Sequence, residues 1–368
     1  YRMLKQYRLS DYRFRLILWV VALAILGILI IGSADADFQK KQIYGLILGV
    51  AAMVLVSLFD YTWVLNFHWL IYLLSTVLLG MVLLFGVERN GATRWINIGF
   101  QFQPSDVAKI LLILFFAKFF EVHEDEISKF RMIVLSLLLI GVQLLLIYKE
   151  PDLSTTITVA GVFCVLIFVS GLSYRIVFGV LAVLVPVAVI FVSVLIQPEQ
   201  QGGGNYQLKR VYAWLRPDEY PDEARQQQNS IKAIGSGQLY GKGLNNDDVG
   251  SVKNGNFISE PQTDFIFAVA GEELGFLGCC IIVLLEFLIA LECLLIGRRA
   301  KVLSGTLIGC GMSALVFFQT FINISVTTGL IPNTGITLPF VSYGLTSLVS
   351  FCIGIGLVLN VGLQTRKY

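Results

Sequence analysis

The residues best suited to chemistry are carboxylates and cations standing at the edges of apolar runs. Asp264 follows Thr263 and precedes Phe265, Ile266 and Phe267. Thr263 suits a helix cap, and Asp264 suits the first turn, where the helix dipole favours an anion. The dipole lowers a carboxyl pKa and apolar neighbours raise it, so a carboxylate held ionised yet partly desolvated is a workable general base. An acid that merely complements the dipole is an equally weighted reading. Asp264, Ala268 and Glu272 are expected to stack on one helix face at i, i+4 spacing. Glu272 and Glu273 sit inside an apolar run, which is costly unless they are functional or paired.

Three other segments mix charge with apolar surroundings. Arg94 and Trp95 lead into Gln103-Pro104-Ser105-Asp106, with Lys109 three residues further along. Pro104 suits a helix start, and Asp106 with Lys109 equally suits a simple intrahelical pair. Lys149-Glu150-Pro151-Asp152 precedes Ser154, and its plainest role is a helix cap from Asp152 or Ser154. Lys232 precedes a glycine-rich run, Gly235 to Gly243, that contains Lys242. Such backbone can approach a ligand closely or wrap a phosphate, although alone it is weak support. The stretch from Thr327 to Gly344 holds two prolines, several glycines and Ser342 among apolar residues. It suits an irregular segment buried against protein, or a rigid interhelical turn.

Other chemistries lack their residues. Gly241-Lys242-Gly243 is followed by Leu244, so there is no phosphate loop of the Gly-Lys-Ser/Thr type. The only histidines are His68 and His123, with no Cys/His cluster spaced for a metal. The six cysteines fall in apolar runs and predict no disulfide framework. A net charge of +2 gives no reason to expect nucleic acid as a partner.

The elements that position these residues must be membrane helices. Of 368 residues, 56% are hydrophobic and 14% charged, against roughly 25% charged in a soluble domain. The fold class is therefore all-α: one polytopic transmembrane domain over residues 1–368. About ten spans are expected near 16–32, 42–59, 69–87, 104–121, 132–148, 155–170, 174–196, 264–296, 303–326 and 341–363. The eighth is long enough to project, tilt or bend at Gly275 or Gly278. The first, with its basic flank and Ala34-Asp35-Ala36, has features of a signal peptide but is expected to remain as an uncleaved span. In the short loops and terminal segments, Lys and Arg number thirteen on the side of the termini and five on the other, which predicts cytoplasmic termini. Residues 197–263 then form a large extracytoplasmic loop between spans seven and eight. Both histidines fall near the cytoplasmic face, leaving outward acid–base chemistry to Asp, Glu, Lys or Tyr.

Six segments in order resemble the SEDS family (shape, elongation, division, sporulation), the RodA, FtsW and SpoVE type. They are Asn90 to Trp95, Gln103 to Lys109, Pro151 to Leu153, Gly235 to Leu244, Thr263 to Gly275, and Gly329 to Gly344. The chain has Ser259, Asp106 and Ser154 where the family more often has Pro, Glu and Gly. The resemblance implies a peptidoglycan glycosyltransferase that polymerises lipid II at the outer face of the bacterial cytoplasmic membrane. It implies Asp264 as the catalytic carboxylate, with Glu260 four residues before it. It also implies a class B penicillin-binding protein as partner in elongation, division or sporulation. Arg94, Lys109, Arg210, Lys232 and Lys242 are candidates for the substrate diphosphates, with Thr263 and Ser342 as further binding residues. No protein-held metal is assigned; a divalent cation, Mg or Mn, is a possible assistant. The competing readings are a lipid II flippase using Glu272, Glu273 and Glu286, and a non-catalytic scaffold.

Overall fold

A computed structural model describes residues 12–89, 92–97, 101–174, 206–245, 258 and 260–364. The expected seventh span beyond Tyr174, Gly202 to Gly204, and much of the basic N-terminal segment lie outside the described residues.

The remaining expected spans appear as nine helices among the described residues: α1 (Phe14–Ala34), α2 (Ala36–Leu58), α4 (His68–Phe85), α5 (Pro104–Val122), α6 (Phe130–Lys149), α7 (Leu153–Val169), α10 (Ile266–Arg298), α11 (Leu303–Thr327) and α12 (Leu345–Leu363). A short helix, α3 (Tyr61–Leu65), follows α2. Seven of the nine are long and apolar enough to cross a membrane on those grounds alone. α5 carries Asp106, Lys109, Lys118 and Glu121, and α7 has only 17 residues. The charges of α5 are accommodated because this helix is enclosed by protein, with Phe115, Phe116, Phe119 and Phe120 forming an aromatic core. The chain is thus a multi-pass helical membrane protein.

Packing ranks the helices by depth. α12 lies along α2 and α11, α10 runs beside α11, and α5 fits between α4, α7, α11 and α12. α11 and α12 are the most enclosed, whereas α2, α4 and α6 keep broad apolar faces outward for lipid. α10 is bent, as its length suggests: Gly275 has φ 66° and ψ −164°, a region open essentially to glycine.

Two features depart from the expected plan. First, a small antiparallel sheet joins β1 (Val87–Arg89), β2 (Ala92–Asn97) and β3 (Gln101–Phe102) between α4 and α5. These strands are too short for a periodicity signal and are held by the helices on either side. Second, the loop 197–263 contains α8 (Tyr206–Leu215) and α9 (Pro221–Ser236). α9 docks on α10 and α11, with Gln227 donating to the carbonyls of Val326 and Ile331 at 2.7 Å each and Ser230 to that of Thr327 at 2.8 Å.

Candidate active site

One cavity of about 500 Å³ draws together residues that are far apart in the chain. Its walls include Arg94 and Trp95 from β2, Asp106 and Lys109 from α5, Arg210 from α8, Glu260, Thr263 and Asp264 before α10, and Gly335 to Thr337 before α12. Lys41 of α2 stands at its rim, 5.3 Å above the Phe38 ring, and Phe38 packs on Tyr343 at 4.5 Å. Four cations and three carboxylates therefore share one space with aromatic and apolar walls.

Asp264 is placed by its neighbours' hydrogen bonds. α10 begins at Ile266 with Phe265 as its cap, so Asp264 lies before the first turn and Thr263 is not the cap. Thr263 Oγ1 instead donates to the Glu260 carbonyl at 3.0 Å, closing a turn in which Glu260 has φ 55°. The expected Asp264–Ala268–Glu272 stack is likewise absent, because the helix is not yet formed at 264. In place of a cap, Asn323 of α11 donates to the carbonyls of Asp264 and Ile336 at 2.9 and 2.7 Å. Ser342 accepts from the Leu338 amide and donates to the Thr263 carbonyl, both at 2.7 Å. The Tyr343 amide donates to the Gln262 carbonyl at 2.9 Å. The irregular stretch before α12 is thus buried against protein and braces residues 262–264.

The electrostatics centre on Gly335. A methyl group built there would stand 3.1 Å from Asp264 Oδ2, 3.4 Å from Arg94 Nη1 and 3.8 Å from Arg210 Nη1. The carboxylate and both guanidiniums therefore converge on the space above one glycine. Arg94 is held by the carbonyls of Gly335, at 3.4 Å, and Pro151, and by Asp152 at 4.0 Å. Arg210 Nη1 donates to the Asn333 carbonyl at 3.3 Å. Asp264 is half-buried, its carboxyl opening into the cavity within a thick protein shell. Burial pushes that carboxyl above the usual aspartate range; Arg94 and Arg210 pull it back, and Glu260 and Asp152 add to the rise.

Of the other residues singled out in the sequence, Lys109 reaches the cavity from α5. It is buried, bonded to Asp106 at 2.8 Å and to Gln319 at 3.0 Å. Lys232 is exposed on α9 and does not line the cavity. Lys242 does not line it either, being paired with Glu272 at 2.7 Å. Glu273 accepts from Ser33 at 2.5 Å. Glu272 is thus ion-paired and Glu273 hydrogen-bonded away from the cavity. Ser342 is a buried brace behind the site and not part of its wall. Asp152 caps α7 through the Thr155 amide at 3.0 Å and also faces Arg94, a second role that its capping motif conceals. Sequence reasoning did not single out Lys41 or Gly335; the positive φ of Gly335, 72°, becomes visible only in the fold.

The family described as "Cell cycle protein", that of FtsW, RodA and SpoVE, matches residues 12–367. Stage V sporulation protein E of Bacillus subtilis is 36% identical over 368 residues, covering 95% of this chain and 97% of that protein. A probable peptidoglycan glycosyltransferase FtsW of Trichlorobacter lovleyi is 32% identical, covering 97% and 94%. Among solved structures, a chain from a peptidoglycan synthase complex that coordinates polymerization and crosslinking superposes with a TM-score of 0.78 at 30% identity, covering 95% and 97%. The chain belongs to the cell cycle protein family of FtsW, RodA and SpoVE.

Proposed function

We propose that the chain is a peptidoglycan glycosyltransferase polymerising lipid II, and that Asp264 is its general base. The observation that carries this is the convergence of Asp264, Arg94 and Arg210 around the space above Gly335. Asp264 takes the proton from the acceptor's GlcNAc 4-hydroxyl. The freed oxygen bonds to C1 of the donor's MurNAc, the C1–phosphate bond breaks, and its electron pair leaves on undecaprenyl diphosphate with inversion. A diphosphate leaving group needs charge stabilisation and no protonating acid, and the cavity's cations supply it. General-base help of this kind is worth typically ~10²–10⁴-fold.

A raised carboxyl pKa suits the role, because the site then holds a stronger base than a solvated aspartate. Among the described residues, no group of three or more His, Cys, Asp or Glu stands ready to hold a metal. A Mg or Mn ion assisting the reaction would have to arrive largely ligated by the substrate's diphosphate.

The predicted topology puts this cavity on the extracytoplasmic side of the bacterial cytoplasmic membrane, with cytoplasmic termini. The family resemblance, together with a structural relative drawn from a synthase complex, supports a class B penicillin-binding protein as partner. The carboxylates a flippase would use, Glu272, Glu273 and Glu286, do not line the cavity.

The deciding test is lipid II polymerisation by purified Asp264→Asn protein that keeps the wild-type unfolding temperature. Loss of at least ~10²-fold is expected if the base is removed; near-normal glycan synthesis would sink the assignment.

A further inference from the structure

Glu150 precedes Pro151, whose carbonyl holds Arg94 at the site, and the reaction above gives it no part. It follows α6 and is 0% exposed, and neither of its carboxyl oxygens has a hydrogen-bond partner. An ionised carboxylate in that state would carry its full desolvation cost, whereas a neutral acid carries far less. Across from it, Arg94 has a complementary defect: its Nε is buried without an acceptor. The two are neighbours, since Arg94 already bonds the carbonyl of Pro151, the next residue in the chain. The charged groups acting on Glu150 are Asp152 at the start of α7 and Arg94 from β2; Lys149, on its own helix, is exposed.

We propose that Glu150 is a positioning residue that acts through Arg94. As a neutral acid it leaves the Arg94 guanidinium on the Asp264 side of its socket. As a carboxylate it draws Arg94 Nε toward itself and away from the catalytic space. The one covalent bond that breaks is Glu150 O–H, and its proton passes to solvent.

The ionisation needed for this lies in a measurable range. Burial, reinforced by the charge of Asp152 and opposed by Arg94, pushes the Glu150 carboxyl up to about 9. The neutral form therefore prevails at neutral pH and is lost as pH rises through that value. The inference rests on the glycosyltransferase reading, and the test separates the two.

Lipid II polymerisation is followed with purified full-length protein from neutral pH to about pH 10. Wild type is expected to lose activity above the Glu150 ionisation, about tenfold per pH unit, mainly through a rising KM for lipid II. Glu150→Gln, a permanently neutral mimic, should match wild type within about twofold at neutral pH and lack that alkaline decline. A folded Glu150→Gln protein that is inactive at neutral pH, or that declines as wild type does, overturns the proposal. So does a wild-type profile that stays flat, which needs no variant to fold. Asp264→Asn in the same assay reports on the base assignment alone: it fails only if that variant stays active.

Discussion

Gly335 lies so close to Asp264 that a single methyl group on the glycine would stand 3.1 Å from the carboxylate. The same methyl would approach Arg94 and Arg210, so it would fill the space where charge must be exchanged with substrate. The backbone adds a second constraint, because φ at Gly335 is 72°, and a side chain there costs about 1–2 kcal/mol. Gly335→Ala should therefore lower polymerisation at least about tenfold while costing only a modest amount of stability. Parallel polymerisation and thermal-unfolding measurements check this. A variant as active as wild type would show that the space above Gly335 is not where reaction occurs.

Asp264 must be ionised to accept a proton, and its carboxyl is raised above the ordinary value of about 3.9. The sign follows directly. The carboxylate is present above the raised value and is lost as pH falls through it, so the acid limb of the rate profile should begin higher than for a solvated aspartate. Arg94→Gln removes an opposing charge and should move that limb further up, as well as slowing the reaction. The measurement is log rate against pH for both proteins. An acid limb at or below the ordinary aspartate value would contradict the burial described here.

The bend at Gly275 is built jointly with the glycine-rich run of the loop before α10. The Lys242 and Gly243 amides donate to the carbonyls of Glu272 and Glu273 at 2.9 and 3.0 Å. Below the bend, the Phe276 and Leu277 amides donate to the carbonyls of Gln238 and Leu239 at 2.8 and 3.2 Å. The loop thus replaces the bonds that α10 forgoes. A methyl on Gly275 would stand 2.3 Å from the Gly241 amide nitrogen, with no flexible side chain to yield. Gly275→Ala should undock the run, lower stability by on the order of 1–3 kcal/mol from backbone strain alone, and speed amide exchange at Phe276, Leu277, Lys242 and Gly243. Unchanged protection at these four amides would refute the splice.

The membrane helices could be read from composition and run length because lipid leaves so few ways to satisfy a backbone. The bend in α10 was also legible, since a run of that length with internal glycines has few alternatives. The site was legible in part. Asp264, Arg94, Lys109, Glu260 and Thr263 all reach the cavity. The local account of Asp264 was not: a capped helix start was expected, whereas Asn323 and Ser342, distant in sequence, hold the segment. Lys232 and Lys242 carry charge near glycines, and charge alone does not reveal which way a helix face or loop turns. Nor could short-range patterns show that Pro151 and Gly335 offer their carbonyls to one guanidinium.

That difference between charge and placement gives the last test. Arg210 and Lys232 come from the same segment between α7 and α10, 22 residues apart. Arg210 lines the cavity and aims Nη1 at the Gly335 corner, whereas Lys232 is exposed on α9. Exposed charges away from a site contribute little beyond screened, long-range attraction. Arg210→Ala should reduce polymerisation at least about tenfold, because it removes a cation from the place where the diphosphate's charge develops. Lys232→Ala should stay within about twofold of wild type. Comparing the two in one assay cancels any general effect of lowering net charge. If Lys232→Ala were the more damaging change, the substrate diphosphates would have to bind on the outer face of α9, outside the cavity that holds Asp264.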